Sequence, residues 1–196
     1  MSEHLLVVPT AEAMERLGEL IAAQLTAGDL VELNGELGAG KTTLTRGIGA
    51  GLGVRGAVTS PTFVLARTHP RDPLAEGSRS DRLETSSTRG RFRDDSGGAG
   101  IPQPAREGVP LVHVDAYRLG SAAELDDLDL DFAGSITVVE WGAGMLDEVA
   151  AHRLVIDIER TLGGDPEKDD DEPRTVRFHG HGQRWADLGW LDAAGH

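Results

Sequence analysis

The stretch Gly35-Glu36-Leu37-Gly38-Ala39-Gly40-Lys41-Thr42 sets glycines, one lysine and one hydroxyl at the spacing G-x-x-x-x-G-K-[ST]. Residues of these types in this order can hold a chain of phosphates. Glycine admits backbone conformations that other residues avoid, so successive N–H groups can turn inward onto anionic oxygens at the start of a helix. The Lys41 ammonium then reaches the outer phosphates, and the Thr42 hydroxyl can ligate magnesium. Gly35, Glu36, Leu37, Gly38, Ala39, Gly40, Lys41, Thr42 and the following Thr43 form the candidate phosphate-binding stretch.

Binding alone breaks no bond. Hydrolysis or transfer also needs an acid near magnesium and a group that positions the nucleophile. In a parallel sheet built around such a loop, ligands collect at the carboxyl ends of strands. Three residues fall at such ends: Thr62, Asp115 and Glu140. Asp115 closes the apolar run Leu111-Val112-His113-Val114 and is expected to hold magnesium directly or through water. Glu140 closes Ile136-Thr137-Val138-Val139 and could orient or deprotonate a water aimed at the terminal phosphate. Each acid has an alternative role as a strand-end cap or a solubilising residue. Lys41, Asp115 and Glu140 are thus the candidate catalytic set, and Thr42, Asp115 and Glu140 the candidate magnesium set. Lys168 is the only other lysine, and it follows Glu167 in an acidic loop, so no Asn/Thr-Lys-x-Asp element for guanine is present. The expected base is adenine and the expected ligands are ATP and Mg2+.

The elements that must position these residues are legible in the apolar spacing. Leu30-Val31-Glu32-Leu33-Asn34 reads as the strand before the loop, and the helix after it should fade near Gly51 and Gly53. Residues 4–8 read as a first strand. Thr10 is a plausible N-cap for a helix carrying Met14, Leu17, Ile21 and Leu25 as far as Gly28. A strand is expected at Phe63-Val64-Leu65-Ala66, a helix from Ser121, and a hairpin of residues 153–159 and 174–178 around an acidic, breaker-rich loop. Residues 183–191 suggest a short helix whose Trp185 and Trp190 either pack on the sheet or dock a partner. The fold class this predicts is α/β, a P-loop NTPase-type, mostly parallel sheet flanked by helices, with a C-terminal β-hairpin.

A chain of 196 residues supports one such domain. Residues 69–108 change character, with seven arginines and seven acids among Gly, Ser and Pro. Too little apolar surface is present there to offset ordering entropy, so the stretch is expected to be a disordered insertion within the domain; an arginine-bearing lid is the alternative. It is charge-neutral, and the net charge of −14 therefore belongs to the remainder. Such acidity weighs against a surface for nucleic acid, DNA included. There is no cysteine, the N-terminus lacks a basic region, and no run approaches the roughly 20 apolar residues of a membrane helix. A cytoplasmic protein with no membrane partner is expected. His179 and His181 would share a strand face and could bind metal or simply end a surface hairpin. The acids at 126, 127, 129 and 131 suggest a solvated face more than a cation site. His113 reads as a plain strand residue.

Taken in order, GELGAGKTTLTRGI, SPTFVL, HVDAYRL and VVEWG resemble the bacterial TsaE (YjeE) family. That resemblance implies MgATP hydrolysis within the machinery that forms threonylcarbamoyladenosine in tRNA. The partners it implies are a TsaD-type transferase and its TsaB-type companion, with tRNA reached only through them. By the same resemblance Thr62 is a switch threonine, Asp115 the magnesium acid, Glu140 the residue that acts on water, and Trp141 a neighbour of the nucleotide. A small-molecule kinase and a non-catalytic nucleotide-dependent interaction module remain as other readings of the loop.

Overall fold

The computed structural model of the protein describes residues 2–61, 64–71, 108–147, 149–160 and 172–195. One sheet contains seven strands: β1 Ser2–Val8, β2 Leu30–Asn34, β3 Ala66–His69, β4 Leu111–Asp115, β5 Ile136–Glu140, β6 Arg153–Arg160 and β7 Arg174–His181. Among the described residues three α-helices accompany them, α1 Ala11–Ala22, α2 Lys41–Leu52 and the short α3 Ala122–Asp126. The strand order is β1-β7-β6-β2-β5-β4-β3. β6, β2, β5 and β4 form a parallel core, and β1, β7 and β3 add antiparallel strands at its edges. This is the expected α/β class, with the hairpin made by β6 and β7.

Helix α1 starts where Thr10, in extended conformation, accepts the Ala13 N–H on its hydroxyl at 3.2 Å. Met14, Leu17 and Ile21 recur on one face and are buried. The helix stops at Ala22, short of Gly28, in a tighter final turn where the Gln24 N–H donates to the Ile21 carbonyl; beyond it Asp29 Oδ2 accepts the Thr26 N–H at 2.8 Å. Leu25 is still buried, beyond the helix. α1 lies close against α2, and a Cβ on Gly47 would collide with the backbone of Glu15.

These two helices pack over one face of the sheet in a core that includes Leu33, Leu44, Ile48, Leu111, Val138, Ile156 and Phe178. Trp185 belongs to the same core at 1 % exposure, and the half-buried Trp190 packs against it. The opposite face is covered over β4 and β5 by Leu125, Leu146 and Phe132, which meet Val112, Val114 and Val139.

The strand expected at residues 63–66 instead begins at Ala66 and runs to His69, into what reads as the insertion. Leu65 has a positive φ of 62° and its carbonyl accepts the Asp115 N–H, so a turn precedes the pairing of Ala66 with Val114. His179 bonds Asp157 at 3.0 Å and lies near Glu3; among the described residues no cluster of three ligands could hold a metal ion, there or among the acids after Leu125. Thr62, Phe63, Lys168 and residues 72–107 and 161–171 lie outside the described residues. Among those described, no helix is long and apolar enough to cross a membrane.

Candidate active site

At the carboxyl end of β2 the chain turns through residues 35–40 and enters α2 at Lys41. Gly35 sits at φ 144°, and a Cβ there would run into the Ile158 carbonyl oxygen of β6. Glycine is what lets the loop leave its strand so close to the neighbouring one. Gly40, at φ 112°, caps α2, whose first N–H groups have no partner within the helix. The cleft measures about 710 Å³. Leu37, Gly38, Ala39, Gly40, Lys41, Thr42 and Thr43 line it, as do Asp115, Glu140 and Trp141. Gly35 and Glu36 precede the loop residues that line it. Their carbonyl oxygens accept from Lys41 Nζ, at 2.8 and 2.9 Å.

Lys41 is 5 % exposed, and its ammonium also lies 3.8 Å from the centre of the Trp141 ring. Burial lowers its pKa, against the opposing pull of Glu140 and Asp115. Trp141 can cover the lysine because it leaves β5 at φ 64°, with its N–H donating to the Leu33 carbonyl at 3.0 Å. The Tyr117 ring meets it edge-on with centroids 5.4 Å apart.

The acids stand side by side, since Asp115 is the register partner of Glu140 in the parallel β4–β5 pair. Both are buried, at 4 and 3 % exposure. β5 lies between β4 and β2, so Glu140 is the acid nearer the loop. Its Oε1 accepts a hydrogen bond from Thr42 Oγ1 at 3.0 Å and lies 2.8 Å from His113 Nε2. Asp115 accepts the Tyr117 N–H at 3.1 Å. A hydroxyl and two buried carboxylates are the hard oxygen donors that magnesium prefers, and the glycine loop with its lysine suits phosphate.

The structure therefore brings together Lys41, Thr42, Asp115, Glu140 and Trp141. Sequence reading missed His113, although it lies two residues before Asp115 and on a strand must share that face. It also missed Tyr117, Ser60, Thr10, Ala11, Met14, Glu172 and Arg174, which line the same cleft.

A family model described as threonylcarbamoyl adenosine biosynthesis protein TsaE matches residues 8–77 and 102–167. The break between the two segments falls inside the Arg- and Gly-rich stretch 69–108. The chain is 47 % identical over 176 residues to a Streptomyces coelicolor protein named tRNA threonylcarbamoyladenosine biosynthesis protein TsaE, covering 88 % of this chain and 94 % of that one. A Bacillus subtilis protein of the same name is 31 % identical over 89 % of this chain and 84 % of its own. The crystal structure of Bacillus subtilis YdiB superposes with a TM-score of 0.60 at 25 % identity, over 98 % of this chain and 94 % of that one. With the loop, the paired acids and these matches in agreement, the chain belongs to the TsaE family of threonylcarbamoyl adenosine biosynthesis proteins.

Proposed function

We propose that this protein hydrolyses MgATP as a component of the machinery that forms N6-threonylcarbamoyladenosine at position 37 of tRNA. It acts on a complex of a TsaD-type transferase and a TsaB-type companion and does not itself modify tRNA. The observation that carries the reading is the meeting, in one cleft, of the P-loop, Lys41 and a buried carboxylate held on the Thr42 hydroxyl. The names of the relatives supply the process, tRNA threonylcarbamoyladenosine biosynthesis.

In this reading the N–H groups of residues 37–43 and the Lys41 ammonium hold the phosphates, and Lys41 exchanges its carbonyl acceptors for phosphate oxygens. Thr42, Glu140 and Asp115 would hold magnesium, which when bound offsets phosphate charge. Glu140 directs the attacking water and takes its proton, and Trp141 walls the site beside Lys41. Thr62 is proposed as a switch threonine. The absence of cysteine suits a reducing compartment and supports action in the cytoplasm.

The test is ATP hydrolysis measured with and without the transferase pair. Turnover that is slow alone and rises with the pair is expected. Equal turnover in both cases, with no binding to the pair, would remove the coupling.

A further inference from the structure

His113 stands on β4, one strand in from the edge strand β3, with no exposed surface, and its Nε2 is 2.8 Å from Oε1 of Glu140. The same oxygen accepts the Thr42 hydroxyl. Two donors on one carboxylate oxygen fix the rotation of the group, and they leave Oε2 as the oxygen that neither engages. We propose that His113 is a positioning residue for Glu140: it anchors Oε1 from beneath the sheet end so that Oε2 is presented to the cleft. The inference rests on the hydrolysis reading given above and adds a residue to it.

The surroundings of the imidazole argue that this bond is its purpose. Its face-sharing strand neighbour, Leu111, is a fully buried apolar residue, and a leucine would fill the site of His113 with little change in volume. Packing therefore does not require a histidine. Nor does the ring serve another polar group, since its Nδ1 is buried without a hydrogen-bond partner. An orphaned buried ring nitrogen is unfavourable, and it is accepted here together with the bond from the other nitrogen to Glu140. For Nε2 to donate to the carboxylate, it must carry the ring proton.

The two donors also differ in what they can do. Thr42 opens α2 and lines the cleft, where its hydroxyl is available to ligands; His113 does not line it. Only the histidine can keep Glu140 in one orientation whatever enters the site. A carboxylate displaced by about 1 Å can lose roughly a hundredfold in rate, which is the scale of effect to expect.

The experiment compares His113→Leu, which keeps the volume and removes the donor, with His113→Gln, whose side-chain N–H can reach the same oxygen. Hydrolysis, nucleotide affinity without magnesium, and melting temperature are measured for each. For His113→Leu, kcat should fall about 10- to 100-fold while affinity stays within a few-fold, and His113→Gln should recover most of the rate. An unchanged kcat in His113→Leu overturns the proposal, as does an equal loss in both variants at wild-type melting temperature. Should His113→Leu not fold, nitrogen-15 imidazole spectra of the wild type and of Glu140→Gln decide. The proton should sit on Nε2, and that resonance should move in Glu140→Gln; a ring bare at Nε2, or indifferent to Glu140, is the negative result. If the wild type hydrolyses no ATP even with the transferase pair, it is the functional reading that fails, and the spectra still answer whether His113 holds Glu140.

Discussion

Thr42 Oγ1 donates to Glu140 Oε1 across 3.0 Å, while Asp115 sits beside Glu140 on the next strand outward. Strands in a sheet lie about 4.8 Å apart. β5 adjoins the P-loop strand and β4 does not, so the hydroxyl that opens α2 meets the acid of β5. The two carboxylates consequently differ in reach, with Glu140 against the loop and Asp115 one strand further away.

Glu140→Gln should separate chemistry from binding. The amide keeps an oxygen for Thr42 and His113 and loses the base, so kcat should drop by about 10²–10⁴ with nucleotide affinity retained. Single-turnover hydrolysis beside equilibrium binding reads both. A variant that turns over at the wild-type rate would rule Glu140 out as the base.

Lys41→Ala should abolish hydrolysis, because the developing charge loses its nearest fixed cation; a loss of at least about a hundredfold is expected. Thr42→Ala should instead raise the magnesium concentration needed for half-maximal rate. Titrating magnesium against turnover for both variants distinguishes these outcomes, and persistent turnover in Lys41→Ala would remove the mechanism.

Trp141 should report on the lysine. Its ring holds the ammonium at 3.8 Å, a contact worth about 0.5–2 kcal/mol, and phosphate binding is expected to draw the ammonium away. Tryptophan emission should then change on nucleotide addition, and Trp141→Phe should lose that change while Trp185 and Trp190 still emit. A response that survives Trp141→Phe comes from elsewhere.

Gly47→Ala should destabilise the fold although alanine favours helices. The added methyl meets the Glu15 backbone, and overpacking of this kind costs about 1–3 kcal/mol. Urea unfolding gives the number directly; a variant as stable as the wild type would show that α1 and α2 can separate freely.

Stability should fall with acid, partly through His69. Burial lowers its pKa below the ordinary value of about 6.5, with His113 and Arg67 adding to the effect. The unfolded chain binds the proton first, so the contribution is present above about pH 6.5 and is lost as pH falls through the lowered folded value. His69→Leu should show a shallower loss of urea midpoint between pH 7.5 and 5.5 than the wild type. Parallel losses would assign the acid sensitivity to other groups.

What the sequence determined by itself is local. The glycine spacing, the apolar strand before it and the helix after it define a phosphate loop whose parts all lie between Leu30 and Leu52. Thr10 capped its helix as expected, and both acids closed the strands on which they were read. Such features depend on backbone sterics and nearest-neighbour hydrogen bonds, which a short window contains. The tertiary structure alone decided that Glu140 rather than Asp115 meets Thr42, that His113 stands behind it, and that Trp141 covers Lys41. It also decided that Trp185 lies in the core. Those relations join residues 27 to 100 positions apart, and they follow from strand order and register. Order and register are set by how crossovers fold back and bury apolar faces over the whole sheet, a balance that no single segment carries.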